Sequence, residues 1–196
     1  MKILAVSDIH GSQGGSLAVE ALIKEHEPDM VVIAGDITHF GPGEWAKGFL
    51  DSIELPSIAA YGNCDTEDVV EVLRKHPHGL LDGFRKVNGV NFLGLAYPFF
   101  KEFEQRMVVD VIVSHVPPMG CNDSVPGPGS IGDKNFRDFV IKHRPGLVLS
   151  GHVHESPGIA ELEGTTCVNP GPAKDRRGAV IDIHGKKVKA RLVHVG

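Results

Sequence analysis

The chain lacks the features of a membrane or secreted protein. No apolar run among its 196 residues approaches the roughly 20 that a transmembrane helix requires. The apolar N-terminus ends at Ser7-Asp8, too early for an export signal. Cys64, Cys121 and Cys167 are odd in number and widely spaced, so no disulfide framework is expected. These absences favour a soluble, cytoplasmic protein that needs no membrane partner.

The sequence also lacks an excess of positive charge. Its formal net charge is -5, which argues against bulk nucleic acid as a partner. An acidic protein can still bind a small phosphorylated molecule if metal cations sit in the site. The net charge is therefore compatible with a small phosphorylated substrate. It does not determine the oligomeric state, and we expect a monomer or a small homo-oligomer.

The first two-thirds of the chain alternates β-rich and helical segments. Strands are predicted at Ile3–Val6, Met30–Ala34 and Ile58–Ala60, and helices at Leu17–Glu25, Trp45–Ser52 and Thr66–Lys75. This alternation predicts parallel strands joined by helices.

The rest of the chain is richer in β-structure. The elements predicted there are a hairpin at Phe84–Val87 and Val90–Leu95, strands at Val109–Val113 and Leu147–Ser150, a long loop at Pro117–Gly132, a helix near Asp133–His143, and a tail meander at Gly158–Leu162, Thr165–Val168, Gly178–Ile183 and Lys187–Val193. No repeat or linker divides the chain. We expect an α/β fold with two packed sheets and outer helices, in one domain over residues 1–196.

Acidic, amide and imidazole side chains follow the predicted strands directly. The candidate metal ligands are Asp8, His10, Asp36, Asn63, His115, His152 and His154. The carboxyl ends of strands are where ligands collect in open α/β sheets. Each motif alone is weak, since His115 could be an ordinary strand-end histidine, but together they occupy one predicted edge. Mixed oxygen and nitrogen ligands suit Mn foremost, with Ni, Fe, Zn or Co as alternatives, and seven ligands suit two ions.

The ordered motifs resemble the calcineurin-like metallophosphoesterase superfamily, and in particular its small phosphodiesterases. They read Asp8-Ile9-His10, Gly35-Asp36, Gly62-Asn63-Cys64-Asp65, His115, Gly151-His152-Val153-His154 and Asn169-Pro170-Gly171. The resemblance implies a four-layer αββα sandwich with two mixed β-sheets.

The resemblance also implies a ligand assignment and a reaction. One metal would take Asp8, His10, Asp36 and His154, and the other Asp36, Asn63, His115 and His152. A hydroxide that bridges the metals would attack the phosphate in line with the leaving group, with Asn63, Cys64 and His115 as the catalytic residues.

One position departs from the commonest family pattern. Cys64 stands where most members have a histidine that contacts the phosphate and assists the leaving group. A thiol supplies no positive charge and is a poor acid near neutral pH. We therefore expect Cys64 to be a packing residue rather than a nucleophile, and the enzyme to favour good leaving groups.

Other residues near the motifs are candidates for substrate contact or support. His39, Asn122 and Asp123 could touch the substrate. Asp65 is expected to cap a helix or to support a ligand. Lys174, Arg176 and Arg177 could grip phosphate, although a solvated turn is the favoured interpretation. Cys121 and Cys167 are expected to be inert.

Three functions are compatible with these residues. The favoured one is a metal-dependent phosphoesterase that hydrolyses phosphodiesters. The alternatives are a phosphomonoesterase, including a protein phosphatase, and a non-catalytic scaffold such as the retromer subunit that shares this fold.

Overall fold

The computed structural model describes residues 1–96, 108–127, 129–185 and 187–196. Its helices are α1 (Gln13–His26), α2 (Gly43–Asp51), α3 (Glu67–Lys75) and α4 (Lys134–His143), with a 3-10 helix at Ala173–Asp175. Its strands are β1 (Lys2–Val6), β2 (Met30–Ala34), β3 (Ser57–Ala60), β4 (Gly83–Val87), β5 (Val90–Leu95), β6 (Val111–Ser114), β7 (Ser124–Val125), β8 (Gly129–Ser130), β9 (Leu147–Leu149), β10 (Gly158–Leu162), β11 (Thr165–Asn169), β12 (Arg177–His184) and β13 (Lys187–His194).

Two large mixed sheets form the centre of the fold. The first has the strand order β13-β12-β1-β2-β3, in which β1, β2 and β3 are parallel. The second has the order β10-β11-β9-β6-β5-β4, in which β11, β9, β6 and β5 are parallel. Because neighbouring parallel strands end on the same side, each sheet collects several strand ends at one edge.

The alternation of side chains along β1 shows how the layers pack. Ile3 and Ala5 face the second sheet and form the core between the sheets, together with residues such as Phe92 and Val113. Leu4 faces outward, where α1, α2 and α3 cover it. Helix α4 covers the outer face of the second sheet. The layers therefore run helix, sheet, sheet, helix, which confirms the predicted four-layer sandwich.

The predicted tail meander is wrong. Strands β10 and β11 pair in the second sheet, whereas β12 and β13 pair in the first. The segment between β11 and β12, which includes the 3-10 helix, crosses from one sheet to the other. The turn signals mark the two hairpins correctly, but hydrophobic alternation along a strand does not specify which sheet it joins.

The long loop after β6 is folded back on itself. Strands β7 and β8 pair within the predicted loop Pro117–Gly132, of which residue 128 lies outside the described residues. None of the described helices is long and apolar enough to span a membrane.

Candidate metal centre

The two sheets bring all seven candidate ligands to one edge. The first sheet supplies Asp8 and His10 after β1, Asp36 after β2 and Asn63 after β3, and the second supplies His115 after β6 and His152 and His154 after β9. Backbone hydrogen bonds join these loops: the Asp8 nitrogen donates to the Gly35 oxygen at 3.1 Å and the Gly151 nitrogen to the His115 oxygen at 2.9 Å. The site therefore lies where the ends of both sheets meet.

One group of ligand atoms surrounds Oδ1 of Asp8. Nε2 of His154 lies 3.1 Å from this oxygen, and Nε2 of His10 lies 3.8 Å from it. The two imidazole nitrogens are 3.3 Å apart. Oδ2 of Asp8 faces away and accepts hydrogen bonds from the Ser7 hydroxyl at 2.6 Å and the His152 nitrogen at 3.2 Å. Oδ2 of Asp8 is thus held by Ser7 and His152, and Oδ1 faces the two imidazole nitrogens, where a cation could be bound.

A second group surrounds Nε2 of His115. Oδ1 of Asn63 lies 3.1 Å from this nitrogen and Oδ2 of Asp36 lies 3.3 Å from it. The ring of His152 makes an edge contact with that of His115, with centroids 5.1 Å apart. These are the residues that the resemblance assigns to the other metal.

Asp36 lies between the two groups. Its Oδ2 is 3.3 Å from Nε2 of His115 and 3.8 Å from Nε2 of His10. Its Oδ1 accepts a hydrogen bond from the Cys64 nitrogen at 2.8 Å. A single carboxylate oxygen therefore faces both groups, as the predicted bridging role requires.

The hydrogen bonds of His115 test whether a cation fits here. Its Nδ1 lies 2.8 Å from the backbone oxygen of Ala34, so Nδ1 carries the hydrogen, because a carbonyl oxygen can only accept. The neutral ring then presents the Nε2 lone pair to the oxygens of Asn63 and Asp36, which are themselves acceptors as placed. Three acceptors that face one another without a donor require a positive charge among them. This set of ligand atoms therefore fits divalent metal ions.

The pKa values of the buried candidate ligands also indicate a centre that attracts positive charge. Burial lowers the pKa of His115, but the hydrogen bond and charge of Asp36 outweigh it and raise this pKa to about 9. Burial raises the pKa of Asp36, yet His115 and the Cys64 amide bring it down to about 2. The pKa of Asp8 is also lowered, because His154, His115 and Ser7 together outweigh its burial.

The backbone of the site is strained. Four candidate ligands have φ in the left-handed region: Asp8 at 55°, His10 at 53°, Asp36 at 50° and His152 at 69°. Such a conformation costs a non-glycine residue about 1 kcal/mol or more, and it clusters at functional sites. Gly62 allows the loops to pack, since a Cβ there would lie 2.5 Å from the Asp36 nitrogen.

Asp65 holds two ligand loops together. Its Oδ1 accepts hydrogen bonds from the nitrogen and hydroxyl of Thr38, at 2.8 and 3.1 Å. Its Oδ2 accepts from the nitrogens of Ile37 and Gly62, at 3.1 and 2.9 Å. Burial raises the pKa of Asp65, and the backbone donors act in the opposite direction. Of the two roles predicted for Asp65, these contacts match the support of a ligand.

Two further supporting residues were not singled out by sequence reasoning. Ser7 is buried and donates to Asp8. Asn169 is buried and donates to the backbone oxygens of Val153, at 2.9 Å, and Ser156, at 3.2 Å, so it holds the loop that carries His152 and His154. The motif Asn169-Pro170-Gly171 was the available signal, although it gives no contact.

A cleft of about 470 Å³ opens above the ligands. Among the described residues, its lining consists of His10, Asp36, His39, Asn63, Cys64, His152, His154 and Lys174. His39 is exposed and makes an edge contact with the ring of His10, with centroids 5.4 Å apart. Burial and the charge of Asp36 raise the pKa of Cys64 to about 12, so Cys64 is a neutral thiol at physiological pH.

The other sequence-predicted candidates lie outside this lining. The amide of Asn122 donates to the Cys167 oxygen at 3.1 Å, and Asp123 accepts from the Gly120 nitrogen at 2.8 Å. Their predicted substrate contacts therefore gain no support from their positions. Arg176 is exposed and donates to the Gly196 oxygen at 3.4 Å. All three members of the cationic trio are exposed at or beside the 3-10 helix, and Lys174 is the one that lines the cleft.

The chain belongs to the calcineurin-like phosphoesterase family, which matches residues 1–156. Members are phosphoesterases whose name and fold imply divalent metal ions, in agreement with the clustered acids and histidines.

Similar proteins cover nearly the whole chain. The protein MJ1162 of Methanocaldococcus jannaschii is 27% identical over 88% of this chain and 88% of its own length. The crystal structure of TT1561 from Thermus thermophilus has a TM-score of 0.70 at 17% identity, over 97% of each chain. A novel archaeal phosphodiesterase has a TM-score of 0.62 at 16% identity, over 98% of this chain and 100% of its own. At these identities the structures show a shared fold.

Proposed function

We propose that the protein hydrolyses phosphate esters with the help of two divalent metal ions, and that phosphodiesters are its preferred substrates. The observation that carries the proposal is the position of Asp36, whose Oδ2 faces both His10 and His115. One oxygen shared between two groups of ligands supports a pair of ions rather than one. Mn is the favoured metal, and Ni, Fe, Zn or Co would also suit these ligands.

The ligand residues would hold and orient the two metal ions. When bound, the two ions would lower the pKa of a water molecule and neutralise negative charge on the phosphoryl oxygens. The low pKa of Asp36 keeps its carboxylate ionised at neutral pH. The Ala34 oxygen fixes the hydrogen of His115 on Nδ1, so that Nε2 faces the same point as the Asn63 oxygen.

The residues of the cleft support a preference for substrates with good leaving groups. The neutral thiol of Cys64 neither donates a proton readily near pH 7 nor attracts an anionic oxygen. Cys64 would therefore not assist the departure of a poor leaving group. The similar fold of an archaeal phosphodiesterase is compatible with diester chemistry on this scaffold.

Metal analysis and a substrate panel on one preparation test the proposal. The protein is stripped with a chelator, reloaded with Mn and assayed on bis(4-nitrophenyl) phosphate and 4-nitrophenyl phosphate. We expect two Mn per chain and a higher kcat/KM on the diester.

Each other outcome identifies a different function. A higher kcat/KM on the monoester would favour the phosphomonoesterase. Well-folded protein that neither binds metal nor hydrolyses either ester would favour the scaffold. A single Mn per active chain would contradict the pair of ions.

A further inference from the structure

Lys174 is fixed beside the ligand loop of β1. It lies in the 3-10 helix between β11 and β12, where the Ala173 nitrogen donates to the Ser7 oxygen at 2.8 Å. The backbone nitrogen of Lys174 donates to the backbone oxygen of Asp8 at 3.3 Å. Helix α1 packs closely on the other side, since a Cβ at Gly15 would lie 3.3 Å from the Lys174 Cα. The backbone of Lys174 is therefore held at a defined place next to Asp8.

The side chain of Lys174 is a free cation at the cleft. It is exposed, and it has no ion pair or side-chain hydrogen bond with any residue that the structure describes. It is also the sole lysine or arginine among the described lining residues. The backbone of Lys174 is hydrogen-bonded to that of Asp8, and Oδ1 of Asp8 lies beside Nε2 of His10 and Nε2 of His154, which also line the cleft.

Lys174 lies at a different depth in the cleft from the phosphoryl group that would react. Asp36 is 2% exposed at the floor of the cleft, whereas Lys174 is exposed at its rim. A phosphoryl group held at the floor would extend its ester arms toward the rim. The net charge of -5 gives the protein no general attraction for anions, so a preference for added negative charge has to come from a local cation.

We infer that Lys174 binds a second anionic group of the substrate, on the His10 and His154 side of the cleft. The inference rests on the proposed function and narrows its substrate class. That class is phosphodiesters with a further phosphate or carboxylate on one ester arm. Diesters with two uncharged arms would make no use of Lys174.

Binding of non-hydrolysable phosphonates tests the inference without measuring turnover. The probes are 4-phosphonobutyrate and 3-phosphonopropionate, against butylphosphonate and propylphosphonate, which carry a methyl group in place of the carboxylate. Calorimetry on Mn-loaded protein gives each Kd for the wild type, Lys174→Met, Lys174→Arg and Arg176→Met. Arg176→Met is the matched control, because Arg176 is an exposed cation nearby that does not line the cleft.

We expect at least one carboxylate probe to bind the wild type up to about fivefold tighter than its methyl partner, the size of an ion pair at an exposed rim. Lys174→Met should abolish that advantage, and Lys174→Arg should retain part of it. Arg176→Met should leave it unchanged, and added salt should reduce it in the wild type.

Three results would overturn the inference. They are no carboxylate advantage in the wild type, an advantage that survives Lys174→Met, and an equal loss on all four probes, which would place Lys174 on the reacting phosphoryl group. Failure of the proposed function is distinguishable, because an inactive wild type that still shows the Lys174-dependent advantage would refute hydrolysis and retain the anion site.

Discussion

The floor and the rim of the cleft are built in opposite ways. On the floor, Asp8, Asp36 and His115 are at most 2% exposed, and the protein holds each of them by hydrogen bonds. At the rim, His39 and Lys174 are exposed, and no side-chain hydrogen bond within the described ranges restrains either of them. The candidate metal ligands thus combine backbone strain with buried charge, whereas the candidate substrate contacts at the rim are exposed side chains.

Removal of the shared carboxylate oxygen should have the largest effect. In Asp36→Asn the amide oxygen can still accept from the Cys64 nitrogen, but its nitrogen would face His10 and His115 and could bind no metal. We expect the loss of at least one Mn per chain and a fall in kcat/KM of more than about 100-fold. Metal analysis and diester hydrolysis measure the two effects.

Asp138→Asn is the control for this prediction, because Asp138 is an exposed carboxylate on α4. It should retain wild-type metal content and rate. Full activity in Asp36→Asn would contradict the role of Asp36.

The variant Asp65→Asn, just behind the floor, should destabilise the ligand loops although it replaces no candidate metal ligand. In Asp65→Asn the amide nitrogen could not accept hydrogen bonds, so the two backbone nitrogens that Oδ2 now serves would lose their acceptor. We expect a loss of about 3 kcal/mol in the free energy of unfolding, because buried donors would be left unpaired. The corresponding fall in Tm is about 10 °C. Mn affinity should weaken by roughly 10-fold or more, as for other residues that orient metal ligands.

Thermal unfolding and Mn titration of the same preparation measure both quantities. A Tm equal to that of the wild type would show that Asp65 does not join the loops. A lower Tm with unchanged Mn affinity would show that the loops keep their geometry without it.

The contrast between floor and rim also explains what the sequence could predict. The floor residues follow buried strands at fixed offsets, so Asp8 and Asp36 could be placed from the periodicity of β1 and β2. Lys174 could not, because it reaches the cleft through the crossover of the tail from the second sheet to the first. The prediction of one continuous meander in the tail does not include that crossing between the sheets. The sequence predicts the supporting role of Asp65 but neither its hydrogen-bond partners nor those of Asn169, since hydrogen bonds between distant loops leave no periodic pattern.

Cys64 lies where floor and rim meet, so an imidazole there should alter the chemistry more than the stability. Cys64→His would place a group that can carry a proton near neutral pH beside His39 and His10. We expect a gain in kcat of about tenfold on alkyl phosphate esters, whose leaving group needs a proton, and little change on 4-nitrophenyl esters. Chromatographic measurement of the released alcohol allows both classes to be compared.

Cys64→Ser serves as the control for volume and should change neither class by much. An equal gain on both ester classes, or no gain on either, would refute the proposed bias toward good leaving groups.

The smallest effect should come from the rim itself. His39 is exposed, and His39→Ala removes an imidazole that contacts the ring of His10 without a hydrogen bond. If His39 touches only the substrate, KM should rise about threefold, within the range of one weak polar contact, and Mn content should not change. However, nitrogen and sulfur atoms of His10, His39 and Cys64 lie within 4.8 Å of one another, close enough to hold an ion together. A lower Mn content in His39→Ala would therefore move His39 from the rim to the floor, and the boundary between the two would have to be redrawn.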